Sequence, residues 1–175
     1  MWMDDYRLQA PVLTGSEMSE AEVLGAAVWL WMHSGQHRDF PLYALPTVLL
    51  PAIKRQQYAI TSHNDRPVLY LSWMWLDVKA EHRYLTQPHI LTQDDEWASG
   101  NRLWIRDFIA PFGLSAAMRR IVTSALFPDD CFRSLWHRGE ERGKRVINFH
   151  GKNISSLQAR EWRAAHPLAV RMSEE

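Results

Sequence analysis

The sequence predicts an α/β fold in which helices flank a central mixed or antiparallel sheet. Three observations support this prediction: segments with a helical apolar period, segments rich in β-branched and aromatic residues, and turn residues between the two kinds. The chain has 175 residues, of which 46% are hydrophobic and nine are Trp. That is enough apolar surface for a substantial core. We therefore expect a single domain in which helices pack on the faces of one sheet.

The first segment of the chain, residues 1–18, has no clear apolar period. It contains Pro11 and Gly15, which interrupt regular structure. We therefore expect an N-terminal extension, residues 1–18, that is not part of the core, followed by one domain at residues 19–175.

Two helical regions follow the extension. Ser19 and Glu22 have the spacing of a capping box, and the apolar residues after them recur at helical spacing, which predicts a helix to about Met32. Residues 41–53 carry the same period, but prolines interrupt it. Because proline inside a helix breaks or kinks it, we expect short helical pieces there.

The middle of the chain favours strands. Residues 57–62 and 67–76 lie on either side of turn residues and predict an antiparallel hairpin. The second of these runs is apolar at nearly every position, so we expect both of its faces to be buried. Residues 103–110 predict another strand, which Pro111 and Gly113 end.

The remaining segments mix helix and strand. A helical apolar period predicts a helix at residues 115–126. Residues 155–165 predict a last helix that ends before Pro167, and a short helix is expected near residues 81–85 in an otherwise polar segment. Residues 131–138 and 145–149 flank a glycine-containing polar turn and predict a second hairpin.

Charge and composition exclude several classes of protein. Twenty Lys and Arg balance twenty Asp and Glu, so no overall positive field favours nucleic acid. The longest apolar stretch, residues 26–32, is far shorter than the roughly 20 residues of a membrane span. The first twenty residues contain no apolar h-region, so we expect no secretory signal, and Cys131, the single cysteine, has no partner for an internal disulfide. We expect a cytoplasmic protein without a membrane span or a nucleic-acid partner.

Asp107 is the first candidate for chemistry. Side chains alternate along a strand, so Asp107 lies on the same face as Ile105 and other apolar residues, where we expect it to be buried. A buried carboxylate needs a compensating partner. A histidine such as His37 and an arginine such as Arg38 or Arg102 are both suitable. The residues alone leave a catalytic role and a structural one, in which Asp107 pairs with an arginine or caps a turn, equally open.

The histidines before residue 40 allow several interpretations. His33 and His37 have a spacing that can bind a metal from one helical face, but Gly35 interrupts the helix and no HExxH pattern or cysteine pair is present, so we expect no metal site. Ser34 lies three residues before His37 and makes a Ser/His/Asp hydrolase conceivable, although the G-x-S-x-G elbow is missing. The structural alternative for Ser34 is a helix cap. Cys131 can hold an acyl group as a thioester, but a buried, inert thiol is the commoner state in its apolar, strand-like segment.

A series of short segments narrows these alternatives. In order and spacing it resembles the bacterial RTX toxin-activating lysine acyltransferases over about residues 21–151. The segments are Trp29-Leu-Trp, His37-Arg-Asp-Phe-Pro41, Leu50-Pro-Ala-Ile53, Gln57-Tyr58, Pro67-Val68, Ser72-Trp73, Trp97-Ala-Ser-Gly100 and Asp107-Phe-Ile-Ala-Pro-Phe-Gly113. Several short matches in the right order are far more specific than any one of them.

The resemblance implies a cytoplasmic, homodimeric enzyme with a GNAT-like acyltransferase fold but without the usual coenzyme A loop. Such an enzyme takes a fatty acyl group from acyl carrier protein, where a phosphopantetheine thioester holds it, and forms an amide with an internal lysine of an RTX protoxin. No other tightly bound cofactor is implied. The family's essential histidine falls on His37, its essential aspartate on Asp107 and its supporting serine on Ser34.

The chemistry suits these residues. A lysine amine has an unperturbed pKa of about 10.4, so roughly 99.9% of it is protonated at neutral pH and a base must activate it. His37 can be that base, with Asp107 orienting the imidazole and stabilising its charged form, or it can carry the acyl group itself. Ser34 or a nearby N–H can stabilise the tetrahedral oxyanion.

Basic residues are the candidates for docking the acidic acyl carrier protein. The first pair is Arg119 and Arg120, and further candidates are Arg138, Arg142, Lys144 and Arg145. A solvated charged face is the alternative for each of them. Two other functions stay open at this stage: a non-catalytic, chaperone-like binder of the carrier or toxin, and an acyl-thioesterase.

Overall fold

The structure, a computed structural model, describes residues 1–15, 18–136 and 143–174. The strands are β1 (Trp2–Met3), β2 (Tyr6–Gln9), β3 (Tyr58–His63), β4 (Arg66–Leu76), β5 (Arg102–Ile109), β6 (Cys131–Leu135), β7 (Arg145–His150) and β8 (Ser173–Glu174). The α-helices are α1 (Pro11–Thr14), α2 (Glu20–Met32), α3 (Leu45–Val48), α4 (Leu50–Lys54), α5 (Val78–Thr86), α6 (Ser115–Ile121) and α7 (Ser156–Ala165). The strands follow chain order in one mixed sheet, which confirms the predicted α/β class.

The chain divides into two compact units. The first consists of Met1–Trp73 and Asp107–Arg119, and the second of Met74–Arg106 and Arg120–Glu175. β4 and β5 contribute residues to both units.

The N-terminal residues belong to the core of the first unit, contrary to the expectation for residues 1–18. β1 pairs with β2, and β2 pairs with β3, both in antiparallel register. Leu8 and Ala10 are fully buried. Because β2 has only four residues, it is too short to display a period from which a strand is predicted. The domain boundary at residue 18 stays a prediction.

The hairpin and the first long helix of this unit are confirmed. β3 and β4 pair in antiparallel register, and the turn between them places Asn64 (φ 49°) and Asp65 (φ 59°) in the left-handed region typical of a tight hairpin turn. α2 begins with the predicted capping box, in which Ser19 and Glu22 each accept a hydrogen bond from the other's backbone N–H. β4 is buried almost throughout, as predicted.

The proline-containing segment forms short helices, also as predicted. A 3₁₀ turn covers Leu42–Ala44, and α3 and α4 follow it, each with a proline in its first two positions. Proline is well tolerated there because the first N–H groups of a helix have no intrahelical acceptor. No helix in the described ranges is both long enough and apolar enough to cross a bilayer.

The second unit contains the second hairpin. β6 runs parallel to β5, with Leu103 opposite Phe132, and pairs with β7 in antiparallel register. Within the connection between β6 and β7, residues 137–142 lie outside the described residues. α7 begins with a capping box at Ser155, close to the predicted start. The helix predicted at residues 115–126 is α6 followed by a π-helical turn, Val122–Leu126.

The second unit contains a buried ionic network. Glu81 of α5 is fully buried and accepts hydrogen bonds from Arg102 (2.7 Å), the Trp104 indole (2.9 Å) and the backbone N–H of Ala169 (3.0 Å). Arg133, also buried, has its guanidinium 3.5 Å from Glu81. Arg102, which the sequence offered as a partner for Asp107, therefore pairs with Glu81 instead.

Candidate active site

The C-terminal end of α2 builds one side of the candidate site. The His33 imidazole donates a hydrogen bond from Nδ1 to the carbonyl of Trp29 (2.8 Å), one turn back in the helix. Its ring also packs against the rings of Trp29 (4.4 Å between centroids) and Phe112 (5.4 Å). His33 thus satisfies a helix-end carbonyl and fills an aromatic cluster. Within the described ranges, no group of three or more His, Cys, Asp or Glu side chains is arranged to hold a metal ion.

Ser34 and His37 meet in the turn that follows α2. The Ser34 hydroxyl and His37 Nδ1 are 2.8 Å apart. The backbone N–H groups of His37 and Arg38 both donate to the Ser34 carbonyl (3.0 Å each), which closes the turn. The imidazole packs on the Trp31 ring, with 5.2 Å between centroids. The Ser34 hydroxyl therefore contacts the imidazole rather than capping the helix.

This arrangement fixes how the imidazole is held. Either the hydroxyl donates to Nδ1 or Nδ1–H donates to the hydroxyl, and both place Nδ1 on the Ser34 side. His37 is partly exposed, while the Trp31 ring beneath it is buried. A partly exposed imidazole with one oriented nitrogen is suited to proton transfer.

Asp107 lies on β5 and is hydrogen-bonded to Ser72. The Ser72 hydroxyl donates to Asp107 Oδ2 over 2.6 Å, and Ser72 itself is fully buried on β4. Asp107 is partly exposed, so the prediction that it is buried was wrong. Along β5, residues 102–105 are buried, whereas residues 106–108, which include Asp107, are half-buried.

Sequence reasoning did not single out Ser72 as a functional residue. A signal was present, because Ser72 is a small polar residue inside an otherwise apolar, buried run of β4. The partner of such a residue lies on another strand, 35 positions along the chain, and a single sequence does not reveal that pairing.

An aromatic cluster joins the two segments that carry His37 and Asp107. Phe112, in the loop after β5, contacts Trp29 (5.6 Å between centroids) and His33 (5.4 Å) of α2. The structure therefore brings Ser34 to His37 and Ser72 to Asp107, and it ties the two segments together through these rings. A direct contact between His37 and Asp107 stays a prediction.

The basic residues considered for docking lie on different elements. Arg119 and Arg120 are exposed on α6, and Lys144 is exposed before β7. The Arg145 guanidinium lies over the Trp136 ring, 4.6 Å from its centroid. Two further candidates, Arg138 and Arg142, fall outside the described residues.

Cys131 has the properties predicted for an inert thiol. It is buried at the start of β6 and forms no disulfide. Burial raises the pKa of the Cys131 thiol, because the charged thiolate is poorly solvated there. The protonated thiol is a weak nucleophile, so Cys131 is a poor acceptor for an acyl group.

Comparison with known proteins identifies a family. The model of the RTX toxin acyltransferase family matches residues 16–150. The chain is 39% identical over 138 residues to the RTX-I toxin-activating lysine-acyltransferase ApxIC of Actinobacillus pleuropneumoniae, covering 79% of each chain. It is 37% identical to the protein-lysine myristoyltransferase HlyC of Escherichia coli, over 79% of this chain and 80% of that one. It is also 37% identical over 154 residues to the protein-lysine palmitoyltransferase CyaC of Bordetella bronchiseptica, over 87% and 82% of the two chains.

Proposed function

The chain belongs to the RTX toxin acyltransferase family, and on that premise we propose that it moves a fatty acyl group from acyl-acyl carrier protein to an internal lysine of an RTX protoxin. Its enzyme class is that of its relatives, an acyltransferase. The observation that carries the proposed site is the Ser34–His37 hydrogen bond of 2.8 Å in a partly exposed turn. His37 and Asp107 are the proposed catalytic pair, with Ser34 in support.

The proposed reaction converts a lysine ammonium and a thioester into an amide and a thiol. The lysine nitrogen bonds to the thioester carbonyl carbon, and the carbon–sulfur bond breaks. Of the two protons that the nitrogen loses, one reaches the departing sulfur and the other reaches solvent. His37 is the group proposed to take a proton from the nitrogen and return it to the sulfur.

The hydrogen bond to Ser34 assigns roles within the site. Because Ser34 contacts Nδ1, we assign proton transfer to Nε2 and the orientation of the imidazole to Ser34. Asp107 then has an electrostatic role, in which its negative charge stabilises the imidazolium or the incoming ammonium. In the alternative route Nε2 attacks the thioester and forms an acyl-imidazole before the lysine reacts.

Partners and assembly complete the proposal. Arg119 and Arg120 are exposed cations suited to an acidic carrier protein. No cofactor other than the phosphopantetheine of the acyl donor is proposed. We further propose a GNAT-like acyltransferase domain at residues 19–175, a homodimer and a cytoplasmic location.

The test combines purified protein, acyl carrier protein bearing a labelled acyl chain, and protoxin. Intact-mass analysis of the protoxin measures the product. We expect one acyl mass per modified lysine with the wild-type protein and none with His37→Ala or Asp107→Ala. His63→Ala is the matched control, because it removes a histidine that has no proposed role in catalysis. His63 lies in the β3–β4 hairpin, with its ring 5.3 Å from that of Tyr6.

Each other result contradicts a stated part of the proposal. Full transfer by a folded His37→Ala protein removes the catalytic role of His37. Release of free fatty acid without an amide makes the protein a thioesterase, and binding of carrier or protoxin without either product makes it a chaperone-like binder. Acylated His37 that accumulates when protoxin is omitted selects the acyl-imidazole route over general-base catalysis.

A further inference from the structure

We propose that Ser72 is a positioning residue for acyl transfer, and that its hydroxyl fixes the carboxylate of Asp107 in its working orientation. This inference rests on the proposed function of Asp107. Ser72 has no contact with the substrate in this scheme and acts through Asp107 alone.

The geometry of the pair supports a strong hydrogen bond. The 2.6 Å between Ser72 Oγ and Asp107 Oδ2 falls in the range of O–H···O⁻ bonds to an ionised carboxylate. The hydroxyl has one proton, which goes to Oδ2, so this bond restrains the rotation of the carboxylate plane. Oδ1 then has a defined position with respect to the strand.

The location of Ser72 makes it a rigid anchor. It is fully buried in β4, directly opposite Tyr58 of β3 in the antiparallel ladder. A residue inside a paired, buried strand moves little, and functional groups held by such elements keep their geometry best. Asp107 is itself partly exposed, so it needs this restraint more than a buried carboxylate does.

The first unit also contains a buried hydroxyl for comparison. Thr61 of β3 is fully buried, and its Oγ1 has no hydrogen-bond partner within the described residues. A buried hydroxyl in this sheet therefore does not require a carboxylate as its partner. The pairing with Asp107 is what distinguishes Ser72, and Thr61→Val is the matched removal of a hydroxyl.

The test measures kcat and KM for the acyl donor and the protoxin together with the melting temperature. We expect Ser72→Ala to lower kcat by about 10- to 100-fold, the effect of losing one hydrogen bond to a charged group, with both KM values within about twofold of wild type. Ser72→Thr, which keeps the hydroxyl, restores most of kcat. Thr61→Val leaves kcat unchanged.

The outcomes separate this inference from the proposed function. Wild-type kcat in Ser72→Ala, alongside inactive His37→Ala and Asp107→Ala proteins, overturns the role of Ser72 only. A loss of kcat in Thr61→Val as large as that in Ser72→Ala also overturns it, because the effect is then general to the sheet. A wild-type protein that transfers no acyl group overturns both proposals. If Ser72→Ala does not fold, Ser72→Cys replaces it, and an intermediate kcat at a wild-type melting temperature is expected, because a thiol is a weaker donor.

Discussion

Glu81→Gln is expected to destabilise the protein strongly although it changes a single atom. Glu81 is fully buried and its carboxylate faces two buried guanidinium groups, at 2.7 Å for Arg102 and 3.5 Å for Arg133. Burial lowers the pKa of Arg133, and the negative charge of Glu81 is the largest effect that raises it. An amide at position 81 removes that charge and places its own N–H donors against the guanidinium and indole N–H groups that donate to the carboxylate.

The magnitude follows from what the substitution leaves behind. Removing one partner of a buried ion pair leaves an uncompensated buried charge, which costs about 3–5 kcal/mol of the free energy of unfolding. For a chain of this length 1 kcal/mol shifts the melting temperature by about 2–4 °C. We therefore expect the melting temperature of Glu81→Gln to lie roughly 10 °C below that of wild type, and the two ranges together allow a decrease of about 6–20 °C.

Thermal unfolding followed by circular dichroism measures this effect, with Asp39→Asn as the matched control. Asp39 also faces an arginine, Arg38, at 3.7 Å, but that pair is exposed to solvent. Exposed pairs contribute about 0–1 kcal/mol, so we expect the control to melt within about 4 °C of wild type. Equal melting temperatures for Glu81→Gln and Asp39→Asn would refute the reasoning, since burial would then have no influence on the pair.

Three further predictions follow from local contacts. A Cβ at Gly100 would lie 2.5 Å from a backbone nitrogen, so Gly100→Ala should lower the melting temperature. Gly25 lies within α2 with open space around it, so Gly25→Ala should raise the free energy of unfolding by about 0.5–1 kcal/mol. Ser34→Ala should lower kcat without changing the melting temperature, and Ser34→Thr should recover activity; equal kcat for wild type and Ser34→Ala argues against the orienting role. Charge reversal at Arg119 and Arg120 should weaken binding of acyl carrier protein in a titration at low salt, and unchanged affinity removes this pair as a docking site.

Local sequence signals predicted the elements that begin with a recognisable cap or turn. Ser19 starts α2 with the predicted capping box, and the helix predicted at residues 155–165 is α7. The Asn64–Asp65 turn predicted the β3–β4 hairpin. In each case the interactions that define the element lie within a few residues of one another, so one sequence contains the whole signal.

The candidate site was predicted in part, for a related reason. The Ser34–His37 pairing spans three residues and was visible as a spacing. Ser72 and Asp107 are 35 residues apart, and their contact depends on how two strands are placed in the sheet. The partner of Arg102 was missed for the same reason, because Glu81 lies 21 residues earlier in the chain.

The contact between Glu81 and Ala169 has a consequence for how the protein is made. Ala169 is 88 positions after Glu81 and lies beyond the family-matched residues 16–150. Arg102 also donates to the carbonyl of a late residue, Pro167. During synthesis, Glu81 and Arg102 are therefore translated long before these two backbone partners. The hydrogen bonding of this buried ion pair is therefore complete only after these late residues have left the ribosome.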